Sequence, residues 1–428
     1  MAVDNYTKES IILLDKQDNL SDFRNRFYIP QDTIYMDGNS LGLLSKDSEK
    51  SLMRVLEEWK KLGIRGWMEG QQPWFWFAEK LGALASDIVG ATPDEVVMSG
   101  TTTINIHALI SSFYNPEGKR VEILADELNF PSDIYALKGQ LKLRGFDPDQ
   151  HLVLAKADSH GLLNEQDIID LMTEKTALVF LPSVIYSTGQ LLDMELLTAE
   201  AHKRNVCIGF DCSHSAGAIP HSFDEWGVDF ALWCSYKYLN GGPGSTAFLY
   251  VNRRHFNKEP LLPGWFGYLK EKQFDMLNEF IPSPNAGRWQ ISSPNILGSS
   301  TLEGALNIIL EAGIHDIRQK SLKLTSVLAD LLREKVFSNF PDFKIVTPLA
   351  EKKRGGHIAI EHPDAIRINE ALKDRGIIPD LRPPNIIRIA PVALYNTFEE
   401  VWNVVEALKE IMEAEEYKSF SKERKAVS

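Results

Sequence analysis

Apolar runs bounded by turn residues alternate with helix-like stretches between residues 95 and 251. The runs are EVVMS (95–99), RVEILA (120–125), HLVLA (151–155), TALVFLP (176–182), NVCIGFD (205–211), DFALWCS (229–235) and TAFLYV (246–251). Their hydrophobicity is continuous rather than alternating, which predicts strands covered on both faces, as in a parallel sheet. Between them, NEQDIIDLMTE and DMELLTAEAHKRN carry apolar residues at helical spacing. The second opens with acids and closes with bases, as a helix dipole favours. Strand, helix, strand, helix in succession predicts an α/β fold built on a helix-covered sheet.

The texture changes after Val251. Residues 258–300 carry KEPLLPGWFGY and FIPSPNAGRWQISSPNILGSS, rich in Pro, Gly, Ser and aromatics, which reads as an ordered functional loop system or a domain boundary. A long helical pattern starts near Thr301 and runs through LEGALNIILEAG and SLKLTSVLADLLREKVF. A smaller α+β unit follows, with GGHIAIEH and NIIRIAP as strands and TFEEVWNVVEALKEIMEAEE as a closing helix. The tail KSFSKERKAVS is expected to fray. The division predicted is an N-terminal segment, 1–60, packing with the small domain, a large domain over 61–300 and a small C-terminal domain over 301–428.

Charge and cysteine content narrow the function. Lys and Arg number 46 against 59 Asp and Glu, a net charge of −13, which argues against a nucleic-acid binder. Hydrophobic residues make up 44% of the chain, enough for a large packed core. The three cysteines, Cys207, Cys212 and Cys234, are too few for a disulfide framework and are not spaced as a metal pair, so no metal site is predicted. They suggest a reducing compartment. With no signal-peptide pattern at the N-terminus and no apolar run of about 18 residues, a cytoplasmic protein is expected.

Three strand ends carry candidate chemistry. In DFALWCSYKYLNGGPG, Lys237 lies just past an apolar strand, before Tyr238 and a cluster of glycines. A desolvated lysine amine becomes a nucleophile able to condense with an aldehyde, whereas a lysine at a strand end can also simply reach solvent. In NVCIGFDCSHSAGA, Asp211 ends a strand, His214 follows it, and Gly217 opens an expected helix. Ligands of open α/β sheets bind at such carboxyl ends, so Asp211 is either a partner for a cofactor's ring nitrogen or a helix cap. In EVVMSGTTTINIHALI, Gly100 and Thr101 to Thr103 lead from a strand into a helix, an anion site suited to phosphate or an ordinary cap. Neither a Walker A ending nor a GxGxxG is present at this turn.

Phosphate site, ring-nitrogen partner, then lysine, in that order, resemble a fold type I pyridoxal-phosphate enzyme. The motifs MDGNSLG (36–42), ELNFPSD (127–133), YSTGQLLD (186–193), GFDCSHSAG (209–217), WGVDFALWCSYKYLNGGPG (226–244), PGWFGY (263–268) and IRIAPVALYNTFEEV (387–401) extend the likeness over nearly the whole chain. It is similar to the kynureninase family of the aminotransferase class V superfamily. That resemblance implies a large domain with a mostly parallel seven-stranded sheet and a smaller α+β C-terminal domain. It also implies pyridoxal 5'-phosphate as cofactor and a homodimer with shared active sites. The implied reaction is hydrolytic cleavage of L-kynurenine, or of 3-hydroxy-L-kynurenine, to anthranilate or 3-hydroxyanthranilate and L-alanine, in tryptophan catabolism or NAD biosynthesis.

Carried onto this sequence, the resemblance implies that Lys237 binds the cofactor aldehyde and later moves the Cα proton. Phe130 of the segment Phe130, Pro131, Ser132, Asp133 would stack on the pyridine ring, with Asp133 and Asp211 near its nitrogen and His214 beside it. Thr102, Thr103 and Tyr236 would hold the phosphate, Tyr236 serving also as a proton donor. Trp265 and Ser293 would reach it from a neighbouring subunit. Arg388 would clamp the substrate carboxylate, a task suited to a guanidinium fork. Where many members have Gly or Ala, this chain has Pro182, leaving Ser183 as the nearest candidate for that cofactor contact. Around the substrate ring, Trp67 resembles the kynurenine-preferring branch and Ser292 the other, so ring preference stays open with a lean to kynurenine.

The main alternative is a cysteine desulfurase or selenocysteine lyase, which requires a reactive thiol on a mobile loop, and none of the three cysteines is placed for that. An aminotransferase fits FPSD and PGWFGY less well. A non-catalytic descendant is disfavoured by the joint presence of Lys237 and Asp211, and nicotinamide chemistry by the missing dinucleotide fingerprint.

Overall fold

The computed structural model describes residues 6–423. All seven apolar runs become strands of one sheet: β1 (Val96–Met98), β2 (Glu122–Asp126), β3 (Leu152–Ala155), β4 (Thr176–Pro182), β5 (Cys207–Asp211), β6 (Phe230–Trp233) and β7 (Phe248–Val251). Their spatial order is β1-β7-β6-β5-β4-β2-β3. Only β7 runs against its neighbours, β1 and β6. Every residue of β1, β6 and β7 is buried, which is why these stretches are apolar throughout.

The helices that matter for the site are α1 (Lys46–Leu62), α2 (Phe77–Val89), α3 (Thr102–Phe113), α4 (Pro131–Leu143), α5 (Met194–Lys203), α6 (Thr301–Ala312), α7 (Ile314–Leu332) and α8 (Phe398–Glu413). The DMELLTAEAHKRN pattern forms α5, and its leading Asp193 caps it by accepting the Leu196 N–H at 2.9 Å. The stretch after Asp211 differs from the expectation. Residues 213–218 form turns rather than a helix, and Gly217 adopts φ +87° beside the backbone of Tyr238. A Cβ there would meet Leu239 Cδ2 at 2.8 Å, so the glycine serves close packing under the lysine loop rather than a helix start.

The C-terminal part has its own sheet of β8 (Lys344–Ile345), β9 (Ile358–Glu361), β10 (Asp380–Arg382) and β11 (Ile386–Ile389), antiparallel in the order β10-β11-β9-β8. Two hydrophobic cores result. The first runs through the large sheet, α2 and α3 and includes Leu302, Leu306, Ile309 and Ile317. The second gathers Leu324, Leu328 and Leu331 of α7, the small sheet, and Val401, Val404 and Leu408 of α8. α6 packs on α1 and α2, so the helical run that begins at Thr301 belongs at first to the large unit. Gly313, at φ +78°, separates α6 from α7. We therefore favour a division inside α7, between Ile317 and Leu324, rather than at residue 300. The N-terminal segment is likewise shared, with Ile11 and Met36 in the second core and Leu20, Phe27 and Leu43 in the first. Of the tail, Glu416–Ser419 forms a 3-10 turn, and residues 424–428 lie outside the described residues.

Candidate active site

A cavity of about 380 Å³ opens at the carboxyl ends of the strands. After β1, Gly100 at φ +52° turns the chain into α3, whose first turn presents Thr102 and Thr103. β2 leads to Asn129, Phe130 and the start of α4 with Ser132 and Asp133. β4 ends at Pro182, with Val184 and Tyr186 beyond it. β5 delivers Asp211, Ser213 and His214, and β6 delivers Tyr236 and Lys237. Asn39 and Ser40 of the MDGNSLG segment and Arg382 of β10 complete the wall. Gly42 lets that segment cross the lysine loop. Its N–H donates to the Tyr236 carbonyl at 2.7 Å, and a Cβ would sit 2.4 Å from the Lys237 carbonyl oxygen.

Within the cavity, Lys237 Nζ lies 2.9 Å from His214 Nε2 and 5.9 Å from the centre of the Phe130 ring. Burial, then the charge of Lys237, holds the His214 imidazole well below its ordinary pKa. It is therefore neutral at pH 7 and can accept from the lysine. Asp133 and Asp211 are both buried. Burial and then the Asp211 charge push the Asp133 carboxyl well above the usual range, and its Oδ2 has no hydrogen-bond partner. Asp211 Oδ1 accepts the Ser213 N–H at 2.7 Å, so it closes a turn rather than capping a helix. Burial, then Cys234, raises the Tyr236 phenol, which keeps its proton at neutral pH.

Several expected site residues lie elsewhere. The Ser183 hydroxyl faces away from the cavity, 2.7 Å from Ser215 Oγ and 3.2 Å from the Asp211 carbonyl oxygen. It ties β4 to β5, and its neighbours Pro182 and Val184 face the cavity instead. Pro131 is the exposed first residue of α4, where its fixed φ suits a helix start. Ser292 and Ser293 are exposed and line a separate cavity of about 370 Å³ with Gly100, Thr101 and Gly244. Trp265, 40% exposed, packs against Phe274. Trp67 meets Trp74 edge-on and Phe266 at a tilt beside a third cavity. Arg388 is fully buried just behind the wall, donating through Nε to Asp380 at 2.6 Å, through one amino nitrogen to the Tyr186 carbonyl at 2.7 Å, and through the other to Ser40 Oγ at 3.0 Å.

Sequence reasoning quoted the motifs that hold Asn39, Ser40, Asn129 and Tyr186 but gave those residues no role. Arg382 escaped it entirely. An arginine before Pro383 and Pro384 carries no periodic signal, and only the fold brings it to the cavity that Lys237 also lines.

The kynureninase C-terminal domain model matches residues 317–408. A kynureninase of Geobacillus thermodenitrificans (strain NG80-2) is 56% identical over 415 residues, covering 97% of this chain and 96% of its own length. One from Bacillus mycoides (strain KBAB4) is 54% identical, covering 99% and 98%. Among solved structures, an apo cysteine desulfurase from Thermococcus onnurineus NA1 superposes with a TM-score of 0.76 at 19% identity, over 92% of this chain and 98% of that one. At that identity the likeness is one of fold, a fold type I α/β architecture. The sequence relatives go further, and on their full-length identity the chain belongs to the kynureninase family.

Proposed function

We propose that this protein hydrolyses L-kynurenine, or its 3-hydroxy derivative, to anthranilate, or 3-hydroxyanthranilate, and L-alanine. The carrying observation is family membership over the full chain together with a lysine, a neutral histidine and two buried carboxylates around one cavity. The residues present fit pyridoxal phosphate. Two carboxylates side by side, one oxygen without a partner, suit a cationic ring nitrogen between them. Thr102 and Thr103 at the start of a twelve-residue helix suit its phosphate. Phe130 offers a ring face, and Lys237 an amine for the aldehyde.

When bound, that group supplies an aldehyde for the substrate amine and a protonated ring that withdraws electrons from the bonds to be broken. Lys237 takes the proton from the substrate Cα and returns it along the reaction path. His214, neutral and in contact with Nζ, accepts a hydrogen bond from that amine and holds it in place. Tyr236 keeps its phenolic proton available for donation, and Asp211 and Asp133 would hold a cationic ring nitrogen. One water is consumed: its hydroxyl ends in anthranilate's carboxyl group and a proton ends on the alanine β-carbon.

Burial lifts the thiols of Cys207 to about 11 and Cys212 to about 12, and raises that of Cys234. This is the opposite of what a desulfurase requires. The test is direct. Pure protein loaded with pyridoxal phosphate and given L-kynurenine should release anthranilate and alanine in equal amounts. Alanine without anthranilate, or neither product, would defeat the reading.

We place the chain in the cytoplasm and its active form as a homodimer. The first rests on three unpaired thiols. No described helix is long and apolar enough to cross a membrane. The second rests on Trp265, Phe274, Met276 and Leu277, an exposed apolar group that includes one residue expected to serve the neighbour's cavity. Mixing inactive Lys237→Ala subunits with Trp265→Ala subunits should rebuild one native site per mixed dimer. Activity should then rise above that of the Trp265→Ala protein alone, whereas no rise would place Trp265 outside the shared site.

A further inference from the structure

A carboxylate clamped by one guanidinium needs two parallel N–H donors. Arg388 has five, one on Nε and two on each amino nitrogen. Its Nε and one amino N–H face Asp380, another N–H goes to Ser40 Oγ, and another to the Tyr186 carbonyl. Four are engaged, and one is left for a ligand. With no exposed surface and at most one N–H unengaged, Arg388 has too few free donors to make a fork by itself.

Arg382 stands in front of it and lines the cavity. Its Nε lies 2.9 Å from the same Asp380 oxygen, and one amino nitrogen lies 3.4 Å from the same Ser40 hydroxyl. Asp380 and Ser40 are therefore shared between two guanidinia, which fixes them side by side despite their like charge. The remaining amino N–H groups of Arg382 have no hydrogen-bond partner among the described residues, and they belong to a partly exposed side chain that lines the cavity. A second observation points to the same place. Asn39 has no exposed surface and lines the cavity, yet neither its amide nitrogen nor its amide oxygen has a hydrogen-bond partner among the described residues. A buried amide left unpaired is costly, so a ligand group is expected to satisfy it.

We propose that the substrate α-carboxylate is held by Arg382 as well as Arg388, with the Asn39 amide completing the cradle, so that Arg382 is a specificity-determining contact for amino acids over plain amines. This rests on the proposed kynurenine-cleaving function for the identity of the substrate, but not for the carboxylate itself. Asp380 and Ser40 are then positioning residues that hold the two guanidinia in register.

The test uses the cofactor-loaded protein and compares ligands with and without the carboxylate. In Arg382→Gln, KM for L-kynurenine should rise about ten- to a hundredfold with kcat changed less than about threefold, the size expected for one charge-assisted hydrogen bond. Kynuramine, which lacks only the carboxylate, should bind the variant as it binds the parent. Titrations with L-alanine and ethylamine, read by the cofactor's visible absorbance, ask the same question whatever the aryl group. L-alanine should weaken ten- to a hundredfold and ethylamine stay unchanged. Arg382→Lys should recover part of the loss, and thermal melts of both variants establish that they fold. Equal weakening of both members of a pair, or no weakening of the acids, overturns the proposal. If the parent protein fails to cleave kynurenine while L-alanine and ethylamine still diverge, the functional reading fails and the carboxylate cradle stands.

Discussion

Replacing Lys237 by alanine is expected to lower anthranilate release by at least about 10³-fold and to remove the visible absorbance of covalently held cofactor. The size follows from the proton step. A positioned general acid or base is worth ~10²–10⁴-fold, and Lys237 also supplies the attachment point. No described neighbour can replace it. His214, 2.9 Å away, is held neutral by burial and by the lysine itself. Removing the lysine relieves part of that depression but leaves the burial, so the imidazole is a poor substitute. Added methylamine, small enough for the space vacated, should restore part of the rate in proportion to its free-base concentration. Activity within tenfold of the parent would show that the cavity's chemistry does not run through this amine.

The same cavity shows what a single sequence discloses. Strand positions were legible because burial on both faces writes an unbroken apolar run, and TALVFLP matches β4 residue for residue. The direction of a strand is not written that way. TAFLYV reads like its neighbours although β7 runs antiparallel, since both of its faces are covered all the same. Lys237, Asp211, Thr102 and Thr103 were legible because each lies at or just past the carboxyl end of a strand, where the fold type places ligands. Arg382 and Asn39 were not. They come from residues more than 340 positions apart, and only the docking of the N-terminal segment and small sheet on the large unit joins them. Ser183 misled because a serine's identity does not tell which side of a strand end its hydroxyl takes. Trp265, Ser292 and Ser293 lie away from the cavity of their own chain, and in the proposed dimer a neighbour would supply Trp265 and Ser293.

Replacing Asp211 by asparagine should weaken cofactor binding by about two to three orders of magnitude while making the cofactor-free protein more stable at neutral pH. The two effects have opposite signs for one reason. Asp211 and Asp133 are buried together, and the Asp133 carboxyl is lifted well above its ordinary value, first by burial and then by the Asp211 charge. A carboxyl lifted in the folded state stabilises the fold below the ordinary carboxylate range, where it is protonated folded and unfolded alike. That contribution is lost as pH rises through the lifted value, because ionising it beside Asp211 is unfavourable. Cofactor-free protein should therefore lose stability over that window. Asparagine removes the like charge, so the loss should shrink, and urea midpoints measured across the window should become flatter. Asparagine's carbonyl oxygen can still accept the Ser213 N–H, so the turn is kept. With a cationic ring nitrogen in place, the situation reverses. Removing one partner from a buried ionic group costs about 3–5 kcal/mol, and each 1.4 kcal/mol is a tenfold loss of affinity. Equilibrium dialysis of the cofactor and urea melts of the cofactor-free form measure the two effects separately. Unchanged cofactor affinity, or a cofactor-free variant less stable than its parent, would mean that the two acids are not arranged around a shared positive charge.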